Sequence, residues 1–493
     1  MCTFTRCGRT PWLLHSRLKA MVGIGSFVSN TGTLLAWISE ALRAFSGWIW
    51  GMPLLILVIG GGLFLLVHSG FIPFFHLGHA LGILRGKHDR ADDPGALNHY
   101  QALSSALAST VGMGNIAGVA VALVAGGPGA IFWMWVSALV GMATKFFTCT
   151  LAVMYRSQGE GDETVGGPMY YITGGLGKRW KPLAVFFALA GLIATIPAFQ
   201  TNQLVQIVVD VFSLGGPDVL HTKLALGIAL ATLVGSVIFG GIKRIGTVAS
   251  RLVPYMVALY FVIIATVLIL KHQDIPAVFA LILRDAFSLR PLVGGALGAV
   301  IITGVRRAAF SNEAGMGTAP MIHGRAKTRE PIREGLVAML GPFIDTLIVC
   351  TLTALAILST RVWKTGSENG ISLTLKAFNT VLPHPLGSLF LILAVSIFAL
   401  STLFSYSVYG VSCLTYLSNS KTAAYYNYFY VASIIFSAVI KLDTAVNLID
   451  SAFALMSIPT LTGALILAPE VKREMKRYFK SRRDGKALGP KTS

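Results

Sequence analysis

Charge is what this sequence has least of. Only 12% of its 493 residues are charged and 21 are acidic, against 54% hydrophobic; globular domains carry about 25% charged residues. A soluble globular fold is thereby excluded, and the chain is read as polytopic in the membrane. Cysteine is scarce too. The five cysteines are scattered, and Cys149, Cys350 and Cys413 fall inside apolar runs, so no disulfide framework or metal knuckle is indicated. No Ser-His-Asp, nucleotide-loop or paired-carboxylate arrangement gives an enzymatic reading an anchor, and no cofactor is implied. The first twenty residues lack an apolar stretch long enough for a signal peptide, which leaves Met21 as a plausible start.

The net charge of +19 does not point to nucleic acid. Its basic residues lie between apolar spans and in the tail, where the positive-inside bias of a bilayer puts them. With the C-terminus inside, the other Lys- and Arg-rich connections also fall inside, and an odd number of spans puts the N-terminus outside.

About eleven stretches reach the roughly 20 apolar residues that cross a core about 30 Å thick. Residues 1–49 read as a tail and an amphipathic helix, with Leu34, Leu35, Ile38, Leu42 and Phe45 on one side. Residues 50–73 form an extra span. Residues 100–270 and 291–468 each hold five spans, and 469–493 are a basic tail.

The second span, within Ala108 to Ala130, is broken by Gly112, Gly114 and Gly118 around Asn115. Each glycine weakens a helix by about 1 kcal/mol, and opened backbone within lipid is tolerated only where protein or a water cavity receives its polar groups. The seventh span, Leu292 to about Phe310, is short and glycine-interrupted as well. Each interrupted span opens a block of five helices. Five is odd, so the two blocks have opposite orientation, the inverted-repeat plan of many transporters. Gly126-Gly-Pro-Gly129 reads as a tight turn.

Free backbone groups around Thr110 to Ile116, with Asn115 as donor and acceptor, suit the two ends of a zwitterion. Gln200 and Gln203 lie about one turn apart in an otherwise apolar span, as substrate contacts or as interhelical glue. Ser401 and Thr402, with free carbonyls of the second span, offer oxygen ligands without a carboxylate, which suits Na⁺; the alternative is that these hydroxyls simply bond to carbonyls of their own helix. Arg306, Arg307 and Glu313 read as an inner gate or as anchors near a membrane surface, and Phe310 as an apolar pocket wall. Lys145 and Asp345 are deep ionisable residues, each costing about 2.5–3.5 kcal/mol in mid-bilayer unless paired; a mutual ion pair is expected. His76 and His79 have ligand-like spacing but no third ligand, and read as interfacial.

Several long motifs then agree in order with one family. Thr110-Val-Gly-Met-Gly-Asn-Ile-Ala-Gly118, Gly126-Gly-Pro-Gly-Ala-Ile-Phe-Trp-Met-Trp135, Gly166-Gly-Pro-Met-Tyr-Tyr171, Phe310-Ser-Asn-Glu-Ala-Gly315, Glu330-Pro-Ile-Arg-Glu-Gly335 and Phe343-Ile-Asp-Thr346 resemble the alanine or glycine:cation symporters, the sodium:alanine symporter family. The resemblance covers about Trp50 to Leu467. It implies an all-α fold with a leucine-transporter-like core of 5+5 helices after one extra helix, in the cell (inner) membrane. It also implies symport of a small neutral amino acid with Na⁺, with proton coupling or exchange as the alternative. Substrate contacts would fall on Gly112, Gly114, Asn115, Gln200, Phe310 and Tyr406, and sodium ligands on Thr110, Phe398, Ser401 and Thr402. The chain departs from the family at Met113, where threonine is common, at Tyr406, where tryptophan is, and near Thr148, where a glutamate is; these bear on pocket size.

Overall fold

The computed structural model describes residues 37–87, 93–158, 164–288, 297–364, 368–383 and 385–484. The alternative start, Leu34 and Leu35, the opening of the second block at 291–296 and the end of the basic tail lie outside them. The described chain is helical apart from one two-stranded ribbon, in which Ser157–Gln158 pairs antiparallel with Thr164–Val165.

In chain order the main helices are α1 (Trp37–Ile49), α2 (Met52–His68), α3 (His99–Thr110), α4 (Gly114–Gly126), α5 (Gly129–Met154) and α6 (Lys178–Val211, dented at 195–197). Then come α7 (Val219–Ile238), α8 (Gly241–Leu270), α9 (Ile275–Ala286), α10 (Leu297–Asn312), α11 (Thr318–His323) and α12 (Pro331–Thr360). The last are α13 (Ile371–Val381), α14 (Leu386–Leu417), α15 (Tyr426–Ser437), α16 (Leu442–Ile466) and α17 (Ala468–Arg483). Seven of the described helices are long and apolar enough to cross a membrane, and two bent pairs, α1–α2 and α3–α4, make nine. The interrupted pair α10–α11 and the shorter apolar α15 complete the eleven spans read from the sequence.

The centre of the molecule is α5. Its most apolar window is 89% buried, against 33% for α7 and α8, so it is ringed by protein where those two present wide faces to lipid. Small residues let its partners approach. A Cβ on Gly304 of α10 would lie 2.5 Å from the Ala130 carbonyl, and one on Gly335 of α12 would lie 2.1 Å from Thr150 Oγ1. On the other side α14 packs against α3, α6 and α8. The interrupted helices lie between these two groups. The Gly126–Gly129 turn is as expected: α4 ends at Gly126, Gly127 is left-handed, and the Gly129 N–H donates to Asp285 Oδ2 at 2.7 Å as α5 begins.

One expectation is corrected. Among the described residues of the seventh span, 297–310, there is no interruption. Its described part is continuous to Asn312, and the break follows at 313–317. There Glu313, Gly315 and Gly317 all have positive φ (54°, 83° and 90°), a conformation glycine adopts freely and glutamate does not. The glycines that matter were read as the end of the span, because the chain resumes as α11 for only six residues.

Candidate substrate and ion site

The first break forms where α3 runs out. Asn98 starts α3 with a capping box, its side chain accepting from the Gln101 N–H at 2.8 Å while Gln101 Oε1 accepts from the Asn98 N–H at 3.0 Å. The helix ends at Val111, whose ψ of 88° is non-helical, and α4 departs at 51°. Asn115 closes the gap. Its Oδ1 accepts from the Gly112 N–H at 2.8 Å, and its Nδ2 donates to the Asp345 carbonyl at 3.0 Å and to Asp345 Oδ1 at 2.7 Å. Thus Asn115 is engaged within the protein, and it holds the main chain of the break in place.

Gly112 and Gly114 owe their identity to close neighbours. A Cβ on Gly112 would lie 2.3 Å from Thr402 Oγ1; one on Gly114 would lie 3.3 Å from Ser311 Cα and 3.4 Å from the Phe310 ring. Phe310 is buried, edge-on to Phe199 with ring centroids 4.8 Å apart, and the Arg307 guanidinium sits 5.1 Å from its own ring centroid. Next to Phe199 in sequence, Gln200 is 3% exposed and its Oε1 has no hydrogen-bond partner. Gln203 differs. Its Oε1 accepts from the Ile371 N–H at 2.9 Å and its Nε2 donates to Asn202, so it is glue to the start of α13.

Three of the four expected cation ligands, Phe398, Ser401 and Thr402, lie at one level of α14. Ser401 and Thr402 hydroxyls both donate to the Phe398 carbonyl, at 2.8 and 3.1 Å, and Thr402 faces Gly112 across the break. The Thr110 hydroxyl donates to the Ala106 carbonyl at 3.0 Å within α3. Each hydroxyl oxygen keeps lone pairs while its proton is used in its own helix. The set is made of neutral hydroxyl and carbonyl oxygens, the chemistry of a hard monovalent cation. Among the described residues no cluster of three His, Cys, Asp or Glu could hold a metal ion.

The expected Lys145–Asp345 ion pair is absent. Both side chains are buried, at 2% and 0% exposure, yet Asp345 is filled by other donors. Asn115 serves one oxygen, and Ser311 and Thr346 serve the other, each at 2.7 Å. Lys145 lies against Gly341, where an added Cβ would stand 3.2 Å from Nζ, and the carboxylates whose fields reach it are Glu313 and Asp345. Nor is Glu313 at a surface. It is 1% exposed and accepts the Tyr406 hydroxyl at 2.6 Å, across from the break to α14. The two arginines once grouped with it turn the other way: Arg306 Nε reaches Asp450 of α16 at 2.6 Å and Arg307 bonds the same carboxylate oxygen. His76 stacks on Phe479 and His79 bonds Tyr478 at 2.9 Å, both on α17.

Two clusters were missed by the sequence reading. One is Asp450, visible in principle as a carboxylate within an apolar span. The other is Glu334, whose carboxylate takes His99 Nδ1 on one oxygen and His323 Nδ1, at 2.5 Å, on the other. It joins the start of α3, the end of α11 and the first turn of α12, where the Lys327 N–H also donates to the Leu97 carbonyl at 2.6 Å. No spacing in the sequence signals a cluster built from residues so far apart.

Comparison with known proteins agrees with this architecture. The model of the sodium:alanine symporter family matches residues 35–492. The sodium/alanine symporter AgcS of Methanococcus maripaludis is 38% identical over 90% of this chain and 98% of its own. The probable sodium/glutamine symporter GlnT of Bacillus subtilis is 34% identical over 89% and 90%. The crystal structure of MhsT in complex with L-phenylalanine superposes with a TM-score of 0.54 at 15% identity, covering 74% of this chain and 89% of that one, which is a likeness of fold. With the family model matching nearly its full length and the leucine-transporter-like fold in place, the chain belongs to the sodium:alanine symporter family.

Proposed function

We propose that the chain carries a small neutral amino acid, alanine or glycine, into the cell together with Na⁺, by alternating access and without any covalent step. The observation that carries this reading is the first break. The interrupted main chain at Gly112 and Gly114, the unpartnered Gln200 Oε1 and the Phe310 wall adjoin an oxygen set on α14 through the contact of Gly112 with Thr402. Backbone amides suit a carboxylate and open carbonyls an ammonium or Na⁺, while the phenyl ring and the close packing around Gly114 argue against a large side chain. A cation bound beside Gly112 completes the substrate site, so occupancy by both favours the change of state. One Na⁺ contributes about 2.3 kcal/mol per 100 mV of membrane potential in addition to its concentration gradient.

In this reading residues 100–270 and 291–468 are the two five-helix halves, residues 50–73 the added span, and the basic α17 with the C-terminus faces the cytoplasm, which places the N-terminus outside. The test is radiolabelled alanine uptake into proteoliposomes with and without a Na⁺ gradient, for the native chain and for Ser401→Ala/Thr402→Ala. Saturable uptake driven by inward Na⁺ and lost in the double variant is expected. Equal uptake in every condition rejects the coupling, and preference for glutamine in competition rejects the substrate.

A further inference from the structure

The buried charges around the second break do not balance. Lys145 on α5, Asp345 on α12 and Glu313 between α10 and α11 are each at most 2% exposed. With all three ionised, the cluster carries one net negative charge away from water, an expensive condition unless a further cation compensates it. Asp345 has the donors an ionised carboxylate needs, from Asn115, Ser311 and Thr346, and the single cation Lys145 is shared, its charge felt by Glu313 and by Asp345 without a salt bridge to Asp345. Glu313 is different. Its Oε1 accepts the Tyr406 hydroxyl, but its Oε2 is buried without a partner. The Thr318 hydroxyl, further along the chain, is buried close enough to interact with the carboxyl but makes no well-formed hydrogen bond to it.

We propose that Glu313 is a proton site, filled at Oε2, which competes with the coupling cation held on α14 one helical turn from its partner Tyr406. A proton taken from water onto Oε2 gives a neutral carboxyl, brings the three-residue cluster to zero net charge, and offers the new O–H to Thr318 Oγ1. A metal ion is less suited to this place, because the Lys145 ammonium already faces it. The groups that face Glu313 are Thr318 on α11, Tyr406 and Tyr409 on α14, Lys145 on α5 and Asp345 on α12, with Cys149 beside Lys145; α16 contributes Thr460 and Leu461 against Gly317 and Gly315. Tyr406 links the two cations. It lies one turn beyond Thr402 and donates to the carboxyl, so a positive ion at Ser401 and Thr402 favours ionised Glu313, and a proton on Glu313 disfavours that ion.

This rests on the cation-coupled reading for the identity of the competitor, and not for the proton site itself. The test is infrared difference spectroscopy of the purified full chain, stepping pH from about 8.5 to about 5.5 with NaCl or KCl, together with equilibrium ²²Na⁺ binding. A protonated-carboxyl carbonyl band is expected to grow on acidification, to be bleached by Na⁺ and not by K⁺, to vanish in Glu313→Gln and to shift in Tyr406→Phe. The Na⁺ half-saturation is expected to rise about tenfold over the same step and to be flat in Glu313→Gln. No band in the native chain, or an unchanged band in Glu313→Gln, overturns the site. A band indifferent to Na⁺ overturns the competition. Should alanine uptake prove independent of Na⁺, the symport reading fails while the band still decides whether Glu313 holds a proton.

Discussion

The two interruptions follow one plan and are finished differently. At the first, every side chain that bridges the gap has a partner: Asn115 spans Gly112 and Asp345, and Asp345 is filled by Asn115, Ser311 and Thr346. At the second, three residues are left-handed and two buried oxygens, of Glu313 and Thr318, have no partner. The first is preorganised to present main-chain groups. The second holds strain and unsatisfied atoms, which persist only where the surroundings over-determine them and which cluster where partners change during function.

The largest expected effect separates the two by sterics. Gly317 has φ of 90°, and a Cβ there would meet Phe187 at 2.5 Å, Thr460 at 2.6 Å and Pro168 at 2.7 Å, from three elements at once. Gly317→Ala is expected to cost about 3 kcal/mol or more, enough to remove the monodisperse, cooperatively melting species in detergent. Gly114→Ala, whose Cβ would press on Ser311 Cα and the Phe310 ring at 3.3–3.5 Å, is expected to cost much less stability than Gly317→Ala and to lose alanine affinity. Equal melting of the two variants would dissolve the contrast between a strained break and a preorganised one.

Next in size is Asp345. Removing it in Asp345→Ala takes the acceptor from the buried Ser311 and Thr346 hydroxyls, while Asn115 keeps the main-chain carbonyl of residue 345 and Ser311 keeps Cys350, so a total cost of about 1–3 kcal/mol is expected. A lowered melting temperature together with loss of binding is expected. Asp345→Asn keeps the shape, so it is expected to lower alanine affinity about tenfold through a misdirected Asn115 while retaining most of the stability. Gly112→Ala sharpens the comparison from the other side. Its Cβ displaces the Thr402 hydroxyl, and losing one charge-assisted oxygen contact, about 1.5–3 kcal/mol, predicts a Na⁺ half-saturation raised by about tenfold to a hundredfold, read from the Na⁺ dependence of uptake.

What the sequence made legible follows from which interactions are local. Spans, the first break and the Gly126–Gly129 turn are set by residues next to one another, and hydropathy or glycine spacing reports them. The grouping of Ser401 with Thr402 was legible because the two share one turn of one helix. The partners of ionisable groups were not. Lys145 and Asp345 were expected to pair because each is costly alone in lipid, but Asp345 found neutral donors on three elements, and hydroxyls and amides carry no signature of whom they will meet. Arg306 and Arg307 choose Asp450 over nearby Glu313 for a related reason. Glu313 stands just past the end of the helix that carries the arginines, at a residue of positive φ, so closeness in sequence stops meaning closeness of side chains.

The smallest effect tests whether an unsatisfied atom marks a binding contact or a mere packing accident, and one helix provides both cases. Gln203 is fully used, by the Ile371 N–H and by Asn202. Gln200, one turn earlier and equally buried, leaves Oε1 without a partner. If Gln200 waits for substrate, Gln200→Ala removes nothing the unliganded protein depends on, and it is expected to melt within about 1 kcal/mol of the native chain. Its alanine KM is expected to rise about tenfold, the worth of one hydrogen bond to a charged group. Gln203→Ala is expected to do the reverse, loosening the start of α13 and lowering stability with little change in KM. Paired melting curves and uptake kinetics decide it: a Gln200→Ala variant with native KM would mean that the free oxygen of Gln200 faces no ligand.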